Sequence, residues 1–115
     1  MIFPSALQAF VCRDRVDMRR GVDGLSQLVG QSFGRDPFGG QMFIFIGKRR
    51  DKAKLLWWHH TGFLLLYKRL ERGRFPDPQA LAARGLSMAE VMAFLEGIDL
   101  SRAKRIAQVS ASRVA

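Results

Sequence analysis

Residues 42–75 are MFIFIGKRRDKAKLLWWHHTGFLLLYKRLERGRF, and this stretch decides the fold of the chain. Three apolar runs, residues 42–46, 55–58 and 63–67, are rich in the Phe, Ile, Trp, Leu and Tyr that suit a pleated sheet. The segments GKRRDK and HHTG between them are short enough for hairpin loops, which predicts an antiparallel meander. Because apolar and polar residues do not alternate within the runs, both faces of the sheet should be covered, by helices or by a second copy of the chain.

Further elements are predicted before the sheet. Residues 7–12 are apolar enough for a first strand. Apolar residues then recur at spacings of three and four between Val22 and Phe33, which is the period of a helix that buries one stripe. With Asp17 as its N-cap, this pattern predicts a helix over residues 18–33.

Two helix signals follow the sheet. Asp77 followed by Pro78 is typical of a helix N-terminus, because proline at the first helical position has no N–H to leave unpaired. Ser87 and Glu90 have the spacing of a capping box. The box predicts a helix over residues 88–96.

Together these elements predict an α+β fold, in which a small antiparallel sheet (a meander) packs with two or three helices in a single domain. At 115 residues the chain is long enough for one hydrophobic core. The domain is expected to cover residues 1–101, and residues 102–115 are expected to form a flexible basic tail.

Positive charge is concentrated in the sheet region. The chain has a net charge of +9, and residues 41–75 carry nine Lys or Arg against two acidic residues. Such a local excess favours a polyanionic partner, and nucleic acid fits best because phosphate neutralisation releases condensed counterions. A membrane surface fits less well, since the basic residues lie between strands and not along an amphipathic helix. The competing interpretation is a solvated rim that protects the sheet edge.

The basic residues expected to contact phosphates lie at the predicted hairpin tip and in the segment after the third run. They are Lys48, Arg49, Arg50, Lys52, Arg69, Arg72 and Arg74. Nearby aromatic side chains could stack on unpaired bases, but core packing is the favoured interpretation for most of them.

The sequence predicts neither an enzyme nor a cofactor or metal. His59 and His60 are neighbours on a strand and point to opposite faces, so they cannot easily hold one metal ion together. Asp17 and Asp23 lie on nearly opposite sides of the predicted helix, which argues against a two-metal nuclease. Cys12 is the only cysteine, which excludes an internal disulfide and favours a small buried hydrophobe over a nucleophile.

Nothing in the chain predicts export or membrane insertion. The longest apolar runs are far shorter than the ~20 residues that span a bilayer. No positive charge precedes the first apolar stretch, as it would in a signal peptide. A cytoplasmic protein is therefore expected.

Four blocks of the chain occur in an order and spacing that resemble a known family. They are VDMRRGVDGLSQLV, DPFGGQMFIFIGKRRDKAKLLWW, KRLERGRF and LSMAEVMAFLEGIDL. Over residues 10–102 the chain resembles the small TnpB accessory proteins of bacterial insertion sequences of family 66, which are distinct from the RNA-guided nucleases of the same name. The resemblance implies a role in DNA transposition as the companion of a separate transposase, with DNA association.

The resemblance also adds positions to the candidate site. From the basic blocks it adds Lys54 and Lys68, and from the helix block it carries over Asp17, Arg19, Arg20, Gly21, Asp23 and Gly24. Of the helix block, Arg19 and Arg20 join the residues expected to bind nucleic acid.

The function predicted from the sequence is that of a nonenzymatic accessory factor for transposition. Its expected partners are DNA at the transposon ends and the transposase, and a homodimer remains an alternative. A second interpretation is a module that docks on the transposase and attracts DNA only weakly, and a third is a metal-dependent nuclease.

Overall fold

The computed structural model describes residues 3–100, which form a four-stranded mixed sheet with helices on both of its faces. The strands, in spatial order, are β1 (Ala9–Val11), β2 (Met42–Ile46), β3 (Lys52–His59) and β4 (Gly62–Arg69). The last three form the predicted antiparallel meander, whereas β1 pairs with β2 in parallel. The α+β class is confirmed, and the sheet is mixed because the chain crosses over a helix between its first two strands.

The crossover helix begins later than the sequence predicts. Helix α1 covers Val22–Leu28 and continues into a π-helical turn, Val29–Phe33, which ends at Gly34 with φ 61°. Asp17 is not its N-cap: the Asp17 carboxylate accepts a hydrogen bond from the Arg19 backbone N–H at 2.9 Å and stabilises a separate turn. This local hydrogen bond competes with helix formation, so helical backbone starts only after Gly21.

Both helix starts predicted after the sheet are confirmed. Helix α2 (Pro78–Leu81) has Asp77 as its N-cap, and the Asp77 carboxylate accepts a hydrogen bond from Gln79 N–H. Helix α3 (Met88–Leu95) begins with the complete capping box of Ser87 and Glu90. The predicted basic tail, residues 102–115, lies outside the described residues.

Two hydrophobic cores cover the two faces of the sheet, which explains why the apolar runs do not alternate. On one face Met42, Ile44 and Ile46 pack with residues of α2 and α3, including Phe94. On the other face Phe43 and Phe45 pack with Leu25 of α1, Val29 of the π-helical turn and Cys12. The chain's own helices therefore bury both faces of β2, and no second copy is needed to do so.

Strand β4 is the less protected edge of the sheet. Its residues are half-buried to exposed, and Leu66 and Tyr67 are the most exposed of its large apolar side chains. Lys68 and Arg69 at its end place charge beside the unpaired backbone, which is a common protection of sheet edges. Within residues 3–100, no helix is long and apolar enough to cross a membrane.

Candidate nucleic-acid interface

The tip of the β2–β3 hairpin presents the largest concentration of positive charge. Gly47 N–H donates to the Lys52 carbonyl at 2.9 Å and closes a loop in which Arg50 N–H donates to the Gly47 carbonyl at 3.0 Å. Arg50 has a left-handed backbone, with φ 60°. Lys48 and Arg49 are exposed at this tip, and Arg50 is half-buried. The backbone of the loop is thus well ordered, and two cations extend into solvent.

The segment that follows β4 lies against this tip. Leu70 N–H donates to the Asp51 carbonyl at 2.7 Å, and Phe75 N–H donates to the Arg50 carbonyl at 2.6 Å. Phe75 is only 1% exposed and stacks on Phe94, with ring centroids 4.5 Å apart. Phe75 therefore anchors the segment in the core and is not available to stack on a base.

These contacts bring the two predicted basic segments together on one surface. Five of their cations make no ion pair within residues 3–100. We call this group the basic rim, and it consists of Lys48, Arg49, Arg50, Arg72 and Arg74. Because these side chains have no ion-pair partner within residues 3–100, their mutual repulsion favours binding of an anion.

Basic residues of β3 and β4 lie beside the rim but are partly neutralised. Lys52 stands directly opposite Arg69, a like-charge pairing that costs stability when it is unscreened. Each has a carboxylate nearby: Lys52 Nζ lies 3.9 Å from Asp51, and Arg69 Nη2 lies 2.9 Å from Glu71. These two cations therefore contribute less to an anion site than the five of the rim.

Two other predicted binding residues are placed differently by the sheet. Lys54 Nζ donates to the Arg20 carbonyl at 2.8 Å and lies 5.5 Å from the Tyr67 ring centroid, so it supports the chain that leads into α1. Lys68 pairs with Ala53 and thus lies on the face of the sheet that α2 and α3 cover. The strand alternation separates Lys68 from Lys52, Lys54 and Arg69.

The turn before α1 carries Arg19 and Arg20. Arg19 donates from Nη2 to the Asp17 carboxylate at 2.6 Å, although its own side chain is 92% exposed. This hydrogen bond and that of the Arg19 backbone hold the pKa of Asp17 well below its usual range. Arg20 is exposed and its side chain makes no ion pair within the described residues.

A cationic cleft of about 260 Å³ separates this turn from the hairpin tip. The two walls are joined where Val16 N–H donates to the Ile46 carbonyl at 2.9 Å. They approach closely because Gly47 has no side chain: a Cβ there would lie 2.8 Å from Met18 Cγ. The charged residues lining this tip cleft are Arg19, Lys48, Arg49 and Lys52, together with Asp17 and Asp51. With more cations than carboxylates, the cleft suits a phosphate group.

Sequence reasoning missed Arg15, which joins the hairpin tip to the start of α2. Arg15 donates from Nη1 to the Lys48 carbonyl at 3.2 Å and from Nη2 to Asp77 at 3.1 Å. The Gln79 backbone N–H and, after it, Arg15 lower the pKa of the Asp77 carboxyl. Arg15 therefore ties the hairpin tip to the start of α2, although Arg15 and Asp77 are 62 residues apart in the chain. Its only local signal was an alternation of charges after β1, which says nothing about so distant a partner.

The opposite end of the sheet carries the two histidines. His59 lies 5.0 Å from the Trp57 ring and 4.5 Å from the His60 ring, between centroids. His60 occupies a left-handed turn position, with φ 54°. The part of the chain that the structure describes contains no group of three His, Cys, Asp or Glu side chains placed to hold a metal ion.

Comparison with known proteins agrees with the resemblance noted in the sequence. A family model described as "IS66 Orf2 like protein" matches residues 7–105. The uncharacterized protein y4jC of Sinorhizobium fredii (strain NBRC 101917 / NGR234) is 38% identical over 107 residues, which cover 91% of this chain and 92% of that protein. The uncharacterized protein y4hO of the same strain is 33% identical over 94 residues, covering 81% and 82%. No solved structure matches the chain.

Proposed function

Because the chain belongs to the family of IS66 Orf2 like proteins, we propose that it is a nonenzymatic accessory factor in transposition that binds DNA through its basic rim. Family membership supports the accessory role in transposition. The observation that carries the DNA-binding part is the meeting of the hairpin tip and the segment after β4, which gathers five unpaired cations on one surface.

The chemistry of the rim suits the phosphates of a DNA backbone. Four of its five members are arginines, whose planar guanidinium groups donate two parallel hydrogen bonds to a phosphate. The rim lies on short loops with a fixed backbone, so it can touch a regular duplex without refolding. Contacts of this kind position a protein on DNA and carry no sequence information by themselves.

The expected salt dependence follows from the number of contacts. Five phosphate contacts would give a slope of about −4.5 for log K against log salt on duplex DNA. The paired cations Lys52 and Arg69 would add to this slope only if DNA displaced their carboxylates. A slope between about −3 and −5 is therefore expected.

Fluorescence anisotropy tests the proposal, with labelled duplexes of the element's terminal inverted repeats and of a scrambled sequence, over a series of salt concentrations. The test variant combines Arg49→Ala with Arg50→Asn, because Asn tolerates the left-handed backbone at that position. It should weaken binding to both duplexes and flatten the slope by about 2. Arg49→Ala, which removes one rim charge, is compared with the control Lys68→Ala, which removes one charge from the sheet face opposite Lys52 and Arg69.

A second candidate function is supported by the exposed edge of the sheet. Strand β4 could add a strand from the separate transposase, with Leu66 and Tyr67 supplying apolar contacts. Unchanged DNA affinity and slope in the folded Arg49/Arg50 variant would favour this docking module. In that case Leu66→Glu should abolish copurification with the transposase, and Arg49→Ala should leave it intact.

A further inference from the structure

A second group of arginines surrounds a depression at the outer edge of β1. The depression has a volume of about 320 Å³ and is lined by Arg13, Arg35 and Arg84 together with Phe10 and Phe33. None of its lining residues is acidic. We call it the arginine pocket; no part of it was expected from the sequence.

The three arginines come from three separate segments. Arg13 follows β1, Arg35 follows the π-helical turn, and Arg84 lies between α2 and α3. The last segment is brought to the pocket by two backbone hydrogen bonds, in which Ala9 N–H donates to Leu86 at 2.9 Å and Leu86 N–H donates to Ala9 at 2.7 Å. Folding therefore gathers three like charges that are distant in sequence.

The three arginines differ in the partners that their guanidinium groups have. Arg84 makes a bidentate ion pair with Glu90, which neutralises it. Arg35 lies over the ring of Phe10, with its Cζ 3.9 Å from the ring centroid. Arg13 is exposed, and its side chain makes no hydrogen bond or ion pair within residues 3–100. Two guanidinium groups that line the same pocket, those of Arg13 and Arg35, thus have no ion-pair partner within residues 3–100. The Phe10 ring fixes one of them in place.

A middle depression lies between the arginine pocket and the tip cleft. This depression has a volume of about 360 Å³ and shares Val16, Asp17 and Lys48 with the tip cleft, and Ser32 with the arginine pocket. The lining of the three depressions together includes nine Lys or Arg and three Asp, and the cations outnumber the carboxylates in each of them. Asp14 and Asp17 line the middle depression, so the arginine pocket is the part of this path that has no carboxylate in its lining.

We propose that the arginine pocket binds a phosphodiester group of the same nucleic acid that lies on the basic rim. This inference rests on the function proposed above and extends the contact from the hairpin tip, along the segment that follows β1, to the outer edge of β1.

The test measures duplex binding over a salt series for Arg13→Ala and for Arg13→Ala with Arg35→Ala. Because each arginine contacts one phosphate, the slope of log K against log salt should flatten by about 1 in the single variant and about 2 in the double variant. Lys68→Ala removes one exposed charge from β4, at the opposite edge of the sheet from β1, and should change the slope less than Arg13→Ala does. Circular dichroism confirms that each variant is folded.

The outcomes distinguish the pocket from the rim. If the Arg49/Arg50 variant loses affinity and the Arg13 and Arg35 variants do not, the arginine pocket is refuted and the proposed function stands. If none of the variants changes affinity or slope, both are refuted. Should the double variant fail to fold, Arg13→Glu decides, since this side chain has no described contact to lose; unchanged affinity in Arg13→Glu refutes the pocket.

Discussion

Replacing Gly47 with Ala should separate the hairpin tip from the turn before α1. The new Cβ would lie 2.8 Å from Met18 Cγ, well inside the 3.5–4.0 Å that two carbon atoms prefer. Overpacking of this kind costs about 1–2 kcal/mol where the neighbour is flexible and only half-buried, as Met18 is. Alanine restricts the unfolded chain more than glycine does, which offsets about 0.5 kcal/mol of this loss of stability. A net loss of about 1 kcal/mol should lower Tm by about 4 °C.

Thermal and urea unfolding of four proteins test this reasoning: the wild type, Gly47→Ala, Met18→Ala and the double variant. Met18→Ala removes the atom that the new methyl group would meet. The double variant should therefore be more stable than the sum of the two single effects predicts, by about 1 kcal/mol. Additive effects, or a Gly47→Ala protein as stable as the wild type, would refute the close approach as the reason for glycine here.

Three further predictions concern stability and chemistry. Phe75→Ala should lower the free energy of unfolding by about 3–5 kcal/mol, measured in urea, because it empties a buried site stacked on Phe94. The Arg84 pair lowers the pKa of Glu90 to about 2 from an ordinary value of 4.5, so the stability it contributes is present above pH 4.5 and is lost as the pH falls toward 2. Glu90→Gln has no carboxyl group to protonate at this position, so its Tm should fall less than that of the wild type as the pH is lowered. The same fall in Tm in both proteins would contradict this prediction. Purified protein with Mg²⁺ should not nick DNA, and nicking that Asp17→Asn abolishes would contradict a nonenzymatic role.

The elements with strong local signals were predicted well. Strand β2 begins and ends at the same residues as the first apolar run, and α3 begins at Met88, as the capping box predicts. The other two runs form longer strands than predicted, because Lys52, Lys54, Lys68 and Arg69 pair in the ladder although they are charged. An apolar run therefore does not mark the ends of a strand: Ala53, between Lys52 and Lys54, is fully buried, whereas Tyr67, inside the third run, is exposed.

The rest depended on contacts between distant segments. Nothing local indicates that β1 pairs in parallel with β2, since its partner lies about thirty residues away. For the same reason the sequence did not single out Arg15, Arg13 or Arg35, whose partners or neighbours come from other segments. The wrong prediction of Asp17 as an N-cap has a local cause. A side chain that can cap a helix can equally cap a turn, and the Asp17 carboxylate accepts its hydrogen bond from Arg19 N–H in a turn.

The backbone hydrogen bonds from Leu70 and Phe75 to the hairpin tip have a thermodynamic consequence for binding. They fix the loop before any ligand arrives, so association has to order only the side chains of the rim, at about 0.5–1.5 kcal/mol for each one immobilised. A loop that had to fold on binding would bury new apolar surface and would show it as a large negative heat capacity change. For this preorganised surface the heat capacity change should be small, and calorimetry at several temperatures would measure it.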